Sequence, residues 1–293
     1  MIRLFFKTRT HEYINTRTQL KNMNILDKII AHKIEEVAQR KATQPIAELE
    51  KSPFFGRETV SLKKALLEKG ASGIIAEFKR KSPSAGVIND QVSVEAVTTG
   101  YVQAGVSGLS ILTDKDFFGG RSEDVQVARV LHKIPILRKD FMVDEYQILE
   151  AKAIGADVIL LIAECLEKER VAQLAAFAKS LGLEVLMEIH SAEQLEKLDS
   201  NLDMIGVNNR NLKTMVTSLE ASYELARQIP SDFVKISESG ISNPQAVVSL
   251  RSQGYRGFLM GEHFMKTANP GEACRAFIEK VSYMEDLLHN AIV

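Results

Sequence analysis

Short apolar runs alternate with amphipathic stretches from residue 71 to the end of the chain. Each run is rich in β-branched residues and ends in polar or charged residues, and a Gly- or Asp-containing loop with a helical stretch follows it. Eight of these runs are predicted as strands: 74–79, 108–113, 135–140, 158–163, 184–189, 204–209, 233–240 and 257–261. Successive strands start 20 to 34 residues apart, which leaves room for one helix between them, as in βαβ units.

Helix signals fill the gaps between these strands. The stretches 144–154 and 168–181 carry apolar residues on one side, and each ends at a glycine. Eight strand–helix units predict an α/β fold, a closed (β/α)8 TIM barrel. An open doubly wound sheet is the alternative, but it usually has a GxGxxG turn after its first strand. Residues 79–86 read KRKSPSAG instead, so we favour the barrel.

Residues 23–70 precede the barrel and are predicted as an N-terminal helical extension packed on it. Asn24 is a candidate N-cap, and a second helix is predicted over 62–68. Apolar residues recur at helical spacing after the cap: Leu26, Ile30, Ile34 and Val37. The extension has too few apolar residues for a core of its own, so residues 71–293 are expected to form the single catalytic domain. The loop 52–56 is a candidate cover for the substrate.

The first 22 residues are rich in Arg and Lys and contain one acidic residue, Glu12. We interpret residues 1–22 as a disordered extension, or as a segment upstream of a translation start at Met23. An organellar transit peptide is the alternative, because such segments are Arg-rich and poor in acids. The apolar stretch at residues 4–6 is too short for the core of a signal peptide.

Composition narrows the class of protein. The 293 residues carry a formal net charge of −1, which argues against a general nucleic-acid binder. The longest apolar run, 158–163, is far shorter than the ~20 residues that span a bilayer. Cys165 and Cys274 form no CxxC pair and no zinc spacing, so we expect free thiols in a reducing compartment and no metal. A cytoplasmic protein with no membrane partner is predicted.

Charged and amide side chains follow the apolar runs of five predicted strands. Catalytic groups of a TIM barrel lie at the carboxyl ends of its strands. The candidates there are Glu77, Lys79, Lys139, Glu188, Asn208, Arg210 and Glu238. One such charge alone is usually a salt-bridged strand end, but five strands that share the feature favour a site. Acids, lysines and an arginine at one mouth suit proton transfer on an anionic substrate.

Two glycine-containing loops indicate a phosphate site. Ser239 and Gly240 follow the seventh predicted strand, and Gly261 and Glu262 follow the eighth. The loops after strands seven and eight of a TIM barrel often bind phosphate through backbone N–H groups. Most Ser-Gly pairs are ordinary turns, so the indication comes from the two loops together.

Aromatic and histidine residues give weaker indications. Phe117 and Phe118 lie in a Gly-ended loop after the second predicted strand, where they either cover an aromatic substrate or pack on the barrel wall. The histidines have no triad partner or metal spacing and are interpreted as ordinary surface or rim residues: His132, His190 and His263.

Five segments together resemble the indole-3-glycerol-phosphate synthase family of tryptophan biosynthesis. They are 75–84 (IAEFKRKSPS), 110–113 (SILT), 135–141 (PILRKDF), 205–210 (IGVNNR) and 237–241 (SESGI). The resemblance implies a carboxy-lyase acting on 1-(2-carboxyphenylamino)-1-deoxyribulose 5-phosphate. The family closes the pyrrole ring and releases CO₂ and water to give indole-3-glycerol phosphate. It uses no metal and no organic cofactor.

The resemblance also implies roles for the charged residues. Lys139 resembles the general acid that polarises the substrate carbonyl, and Glu188 resembles the acid/base group for dehydration. Glu77 and Asn208 are expected to orient the substrate, and Glu238 to hold the lysines in place. A buried Glu188 with a raised pKa could shuttle protons near neutrality.

Substrate-binding roles follow in the same way. Arg210 and Ser82 resemble the residues that hold the anthranilate carboxylate, and Phe118 resembles an aromatic that lines its ring. Lys79 is expected to be an electrostatic contact and a second proton donor. The phosphate loops match at Ser239, Gly240, Gly261 and Glu262. The backbone N–H of Glu262 is expected to bind phosphate while its carboxylate turns away.

Two other functions stay open from the sequence. An isomerase acting on a related anthranilate sugar would carry a Cys or Asp pair at the ends of strands one and six, where this chain has Glu-Phe-Lys and Asn-Asn-Arg. A non-catalytic barrel would show gaps among the charges at the mouth, and the sequence shows none. The predicted partner is a phosphorylated small molecule. A monomer is expected, with a homodimer as the alternative.

Overall fold

A computed structural model describes residues 24–211 and 216–292 of the chain. The predictions for residues 1–22 lie outside these described residues. Within them, eight parallel strands close into a barrel, with helices between successive strands. The predicted (β/α)8 TIM barrel with an N-terminal helical extension is therefore confirmed.

The barrel strands follow the apolar runs closely. They are β1 (Ile74–Phe78), β4 (Gly108–Leu112), β5 (Ile136–Lys139), β6 (Val158–Ile162), β7 (Glu184–Ile189), β8 (Met204–Asn208), β9 (Val234–Glu238) and β10 (Tyr255–Met260). Each bound lies within two residues of the predicted one. β10 closes the barrel by pairing with β1. After β1, a small hairpin of β2 (Lys81–Ser82) and β3 (Gly86–Val87) had no counterpart in the predictions.

Helices surround the barrel and form the extension. In chain order they are α1 (Ile25–Thr43), α2 (Ile46–Leu49), α3 (Leu62–Leu67), α4 (Val94–Gln103), α5 (Ser122–Leu131), α6 (Glu145–Ala153), α7 (Lys168–Ser180), a 3₁₀ helix (Ala192–Lys197), α8 (Glu220–Leu225), α9 (Pro244–Ser252), α10 (Glu262–Met265) and α11 (Pro270–Ile292). Among the described residues, none of these helices combines the length and apolar character that a bilayer crossing needs.

Strand alternation builds two cores. In β1, Ile75 packs inside the barrel, whereas Ala76 and Phe78 pack in the layer between the strands and the outer helices. In β5, Leu137 points inward and Arg138 is buried on the helix side, where it bonds to the α6 carbonyl of Gln147. Successive side chains of a strand point to opposite faces, so the next inward residue of each strand reaches the barrel mouth.

The extension contacts both ends of the barrel. Asn24 caps α1 as predicted, by accepting from the N–H of Asp27. The buried face of α1 differs from the predicted one, because Ile34 is 46% exposed and a lysine takes a buried position; the buried residues are Leu26, Ile29, Lys33 and Val37. At the opposite end, Arg57 donates to the Asp157 carboxylate just before β6. The loop 52–56 therefore lies at the amino ends of the strands, and its prediction as a substrate cover is wrong.

Candidate active site

One cavity opens at the carboxyl ends of the barrel strands, where the fold predicts a site. Ten of the thirteen predicted site residues line it: Glu77, Lys79, Ser82, Phe118, Lys139, Glu188, Asn208, Arg210, Glu238 and Ser239. The other three, Gly240, Gly261 and Glu262, lie next to lining residues. Gly240 follows Ser239, Gly261 packs against Glu77, and Glu262 meets Arg210.

Lys139 lies at the centre of the cavity floor. Its Nζ is 2.9 Å from Glu188 Oε2 and 2.9 Å from Glu238 Oε2. Asn208 Nδ2 donates to the other oxygen of Glu188 at 2.9 Å. All four side chains come from the ends of adjacent or nearby strands, so the barrel itself sets their spacing.

One ammonium group shared by two buried carboxylates changes all three pKa values. Burial acts to lower the pKa of Lys139, but the charges of Glu188 and Glu238 outweigh it and raise that pKa. Burial raises the pKa of Glu238 to about 7, and the Glu188 charge adds to the rise against the pull of Lys139. Burial also acts to raise the pKa of Glu188, but Lys139 outweighs it and lowers that pKa to about 2. The expectation that Glu188 has a raised pKa is therefore wrong, and the raised carboxyl is Glu238.

Gly206 makes room for this cluster. It stands between Glu188 and Ile236 in the register of β7, β8 and β9. A Cβ at Gly206 would overlap Glu238 Oε1, closer than any real contact allows. The missing side chain in β8 thus lets the carboxylate of Glu238 reach across toward Lys139.

A second ion pair lies on the β1 side of the cavity. Lys79 Nζ is 2.8 Å from Glu77 Oε1, and Ser110 Oγ donates to Glu77 Oε2 at 3.4 Å. The alternation predicted for β1 is confirmed, since both residues reach the cavity. Gly261, at the end of β10, lies so close that a Cβ there would come within 2.9 Å of Glu77 Cβ.

Arg210 spans the mouth between three loops. Its Nη1 donates to Ser84 Oγ at 2.7 Å, near Ser82 on the β2–β3 hairpin. Its Nη2 lies 3.4 Å from Glu262 Oε2 at the start of α10. Its Nε donates to Thr217 Oγ1 at 3.3 Å. Arg210 also lines the cavity, and the planar guanidinium suits contact with a carboxylate.

The turn after β9 has an unusual backbone. Ser239 and Gly240 both have positive φ, at 68° and 75°. Positive φ is strained for a non-glycine residue such as Ser239, and strained backbone concentrates at functional sites. Asn209 holds the turn, because its Nδ2 donates to the carbonyl of Ser239 at 3.0 Å.

An apolar wall faces the charged floor. Phe118 packs against Phe141 with ring centroids 5.9 Å apart. Most of the remaining wall was not predicted from the sequence. It consists of Phe141 and of residues from the inner faces of β4, β6 and β10 and from α1, which are Leu112, Leu160, Ile162, Leu259, Ile25, Leu26 and Ile29. Inward alternation was a usable signal for the strand residues, whereas nothing in α1 indicated where that helix docks.

Of the three histidines interpreted as surface or rim residues, His132 is buried, whereas His190 and His263 are partly exposed. His190 Nε2 lies 3.4 Å from Glu188 Oε1, beside the charged floor. His132 is buried and bonds to Thr98 Oγ1 at 3.0 Å. His263 packs edge-on against Phe264 and Phe277. His190 directly follows the end of β7, so its place two residues after Glu188 was the signal to use.

Fold and site together define a TIM-barrel enzyme that combines acid–base groups with an apolar wall. A family model described as indole-3-glycerol phosphate synthase matches residues 26–277. The chain belongs to the indole-3-glycerol phosphate synthase family.

Two relatives illustrate this membership. The chain is 50% identical over 258 residues to indole-3-glycerol phosphate synthase from Bacteroides thetaiotaomicron, covering 88% of this chain and 99% of that protein. It is 42% identical over 254 residues to the protein of the same name from Salinibacter ruber, covering 86% of this chain and 94% of that one.

Solved structures support the fold alone. The structure of KGPDC from Streptococcus mutans matches with a TM-score of 0.55 at 14% identity, covering 72% of this chain and 97% of that one. A structure described as native KDPGal matches with a TM-score of 0.52 at 14% identity, covering 73% and 96%. Identities this low carry no statement about activity.

Proposed function

We propose that the protein converts 1-(2-carboxyphenylamino)-1-deoxyribulose 5-phosphate to indole-3-glycerol phosphate. The observation that carries the proposal is the Lys139 ammonium, held at 2.9 Å by both Glu188 and Glu238 beneath an apolar wall. Ring closure on a carbonyl needs a proton donor at the carbonyl oxygen, with acid–base groups close by for the later dehydration.

Lys139 acts as the general acid in this proposal. It gives a proton to the carbonyl oxygen while the aryl carbon forms the new carbon–carbon bond. Loss of CO₂ then returns an electron pair to the ring. Glu188 serves the last step, in which its carboxylate takes the carbon-bound proton and passes it to the leaving hydroxyl group, which departs as water. Asn208 orients Glu188 through its 2.9 Å hydrogen bond, and Glu238 holds the ammonium from the other side.

The two ends of the substrate bind to different sets of loops at the mouth in this proposal. Arg210 and Ser82 hold the anthranilate carboxylate, and Phe118 lines its ring. The phosphate lies at the loops after β9 and β10, near Lys79, with the backbone groups of Ser239, Gly240, Gly261 and Glu262. The Glu262 carboxylate points toward Arg210 at 3.4 Å, which supports a phosphate contact by its backbone alone.

The proposal needs no metal or organic cofactor, because side chains supply the acid, the base and the anion contacts. We also propose a monomer, since one chain supplies all the residues named here. A cytoplasmic location is proposed as well, because the free thiols of Cys165 and Cys274 suit a reducing compartment. Sedimentation of the purified chain tests the oligomeric state.

A fluorescence assay tests the activity. The purified protein is mixed with the carboxyphenylamino-deoxyribulose phosphate in the presence of a chelator, and indole emission is followed. A rise is expected, and the chain has no tryptophan to obscure it. A folded sample that binds the substrate and gives no rise contradicts the proposal. The related phosphoribosyl anthranilate is then tested as a substrate for isomerisation.

A further inference from the structure

Helix α1 buries a lysine directly above the active-site loops. The Lys33 side chain is 0% exposed, although lysine is rarely buried in proteins. Lys33 follows Leu26 and Ile29 along the buried face of the helix, and those two residues line the active-site cavity. The burial therefore belongs to the docking of α1 on the mouth.

Three carboxylates surround this ammonium group. Lys33 Nζ lies 2.9 Å from Asp114 Oδ2, 3.0 Å from Asp140 Oδ1 and 2.7 Å from Glu36 Oε2. Burial acts to lower the pKa of Lys33, but its three carboxylate partners outweigh burial and raise that pKa. Lys33 thus stays charged, and Asp114 and Asp140 are almost fully buried with it.

Each aspartate holds a part of the active site. Asp114 Oδ1 accepts from the backbone N–H of Phe117 at 2.8 Å and of Phe118 at 3.2 Å, so it shapes the loop that carries the aromatic wall. Asp140 directly follows Lys139. The carboxylate oxygens of Asp140 accept hydrogen bonds from Thr113 Oγ1 at 2.6 Å and from the N–H of Phe141 at 2.8 Å.

We propose that Lys33 is a positioning residue that holds the Phe118 loop and the end of β5 in the relative placement that catalysis requires. Resting on the function proposed above, the inference adds a residue from outside the barrel. The ammonium joins Asp114 to Asp140 beyond the last strand pair, Leu112 and Lys139, and adds to the hydrogen bonds that Thr113 makes to Lys139 and Asp140. Without it, Asp140 keeps its ion pair with Arg138 Nη2 at 3.1 Å, whereas the buried Asp114 carboxylate loses this cation, so the Phe118 loop shifts to bring Asp114 toward water.

Replacement of Lys33 tests the inference. Lys33→Met is expected to lower kcat/KM by about 10- to 100-fold, since displacement of catalytic groups by ~1 Å has an effect of this size. Lys33→Arg keeps the charge and is expected to recover part of the loss. The matched control is Lys41→Met on the same helix, which removes a 37%-exposed ion pair to Asp144, the N-cap residue of α6, and leaves the contacts of Asp114 and Asp140 in place. It is expected to stay within about 2-fold of wild type.

A binding comparison separates positioning from a loss of fold. Lys33→Met is expected to weaken binding of indole-3-glycerol phosphate and to leave binding of glycerol 3-phosphate unchanged, because the phosphate loops follow β9 and β10. Equal loss of both ligands, or equal loss of turnover in the Lys33 and Lys41 variants, overturns the inference. If Lys33→Met does not fold, Lys33→Arg carries the same two comparisons.

The wild-type protein separates this inference from the proposed function. A wild-type protein without turnover contradicts the function. A wild-type protein that turns over while Lys33→Met matches it contradicts the positioning role alone.

Discussion

Lys139 shows how burial and charge act together on a single side chain. Moving an ammonium group out of water favours its neutral form, but two carboxylates at 2.9 Å favour the charged form more strongly. The outcome is a lysine that stays protonated at neutral pH. A proton donor in that state suits the first step of the proposed reaction.

Replacement of either partner in the central ion pair is expected to stop turnover while the fold persists. Lys139→Met removes the proposed acid, and Glu188→Gln removes the proposed acid/base group. Each is expected to lower kcat by about 10²-fold or more, the usual contribution of acid–base groups. Steady-state fluorescence kinetics measure this, and circular dichroism checks the fold. Lys133→Met, which changes an exposed lysine just before β5, is the control. Near-normal turnover in both site variants contradicts the assigned roles.

The pH profile depends on Glu238. Glu238→Gln removes a negative charge 2.9 Å from the Lys139 ammonium. The pKa of Lys139 therefore falls, since less negative charge stabilises its protonated form. The alkaline limb of kcat/KM is expected to move to lower pH than in the wild type. A limb that stays in place, or moves to higher pH, shows that Lys139 is not the acid that this limb reports.

At the scale of elements, the strands position functional side chains in two ways. Successive residues of a strand point to opposite faces, and a glycine leaves space for the side chain of a neighbouring strand. β5 sends Leu137 and Lys139 inward and Arg138 outward, so one strand serves both the core and the site. In β8, Gly206 leaves the space that Glu238 fills from β9. A glycine in a strand usually weakens it, and here the space it leaves is used by a functional side chain.

Gly206→Ala tests the use of that space. The new methyl group would overlap Glu238 Oε1, so the carboxylate must move away from Lys139. We expect kcat to fall by about 10-fold or more, as misplaced catalytic groups typically cause. Gly56→Ala is the control, because nothing lies within 4 Å of the place its new methyl group would take. Equal activity of the two variants contradicts the role given to the gap.

Most of the elements and most of the site could be predicted from the sequence, and the exceptions have physical causes. Short apolar runs located each barrel strand, and charges at strand ends pointed to residues that the structure brings together, such as Glu77 and Glu238. Lys33 was missed because a lysine on a helix is normally solvent-exposed. The pKa of Glu188 was misjudged because its value depends on an ion pair between β5 and β7, which the sequence does not reveal.

At the scale of the whole molecule, the extension holds the barrel at both ends. At the mouth, α1 supplies Ile25 and Ile29 to the cavity wall. At the other end, Glu184 accepts from the N–H groups of Leu62 and Lys63 at the start of α3. Leu62 and Leu66 then pack into the interior core of the barrel. The extension thus closes the barrel at the amino ends of its strands and completes the wall of the active site at the other end.

The packing of α3 at the amino ends of the strands is expected to contribute to stability and not to catalysis. Leu62 is 0% exposed, so Leu62→Ala is expected to lower the free energy of unfolding by about 2–5 kcal/mol. Leu67, on the same helix, is 55% exposed, and Leu67→Ala is expected to change the free energy of unfolding by about 0.5 kcal/mol or less. Urea titration measures both, and kcat well below the melting temperature is expected to match wild type. Similar losses of unfolding free energy in the two variants contradict the stabilising role given to the buried Leu62.

The packing of α3 into the barrel also sets the order in which parts of the chain can fold during synthesis. Leu62 packs in the same core as Ile236 and Leu259, and Ile236 leaves the ribosome 174 residues later. At about 5–20 residues per second, α3 waits roughly 9 to 35 s for Ile236 and longer for Leu259. The extension is therefore among the first parts of the described chain to be made and the last to find its place. Until then its leucines are open to chaperones, and to the apolar segments of neighbouring nascent chains.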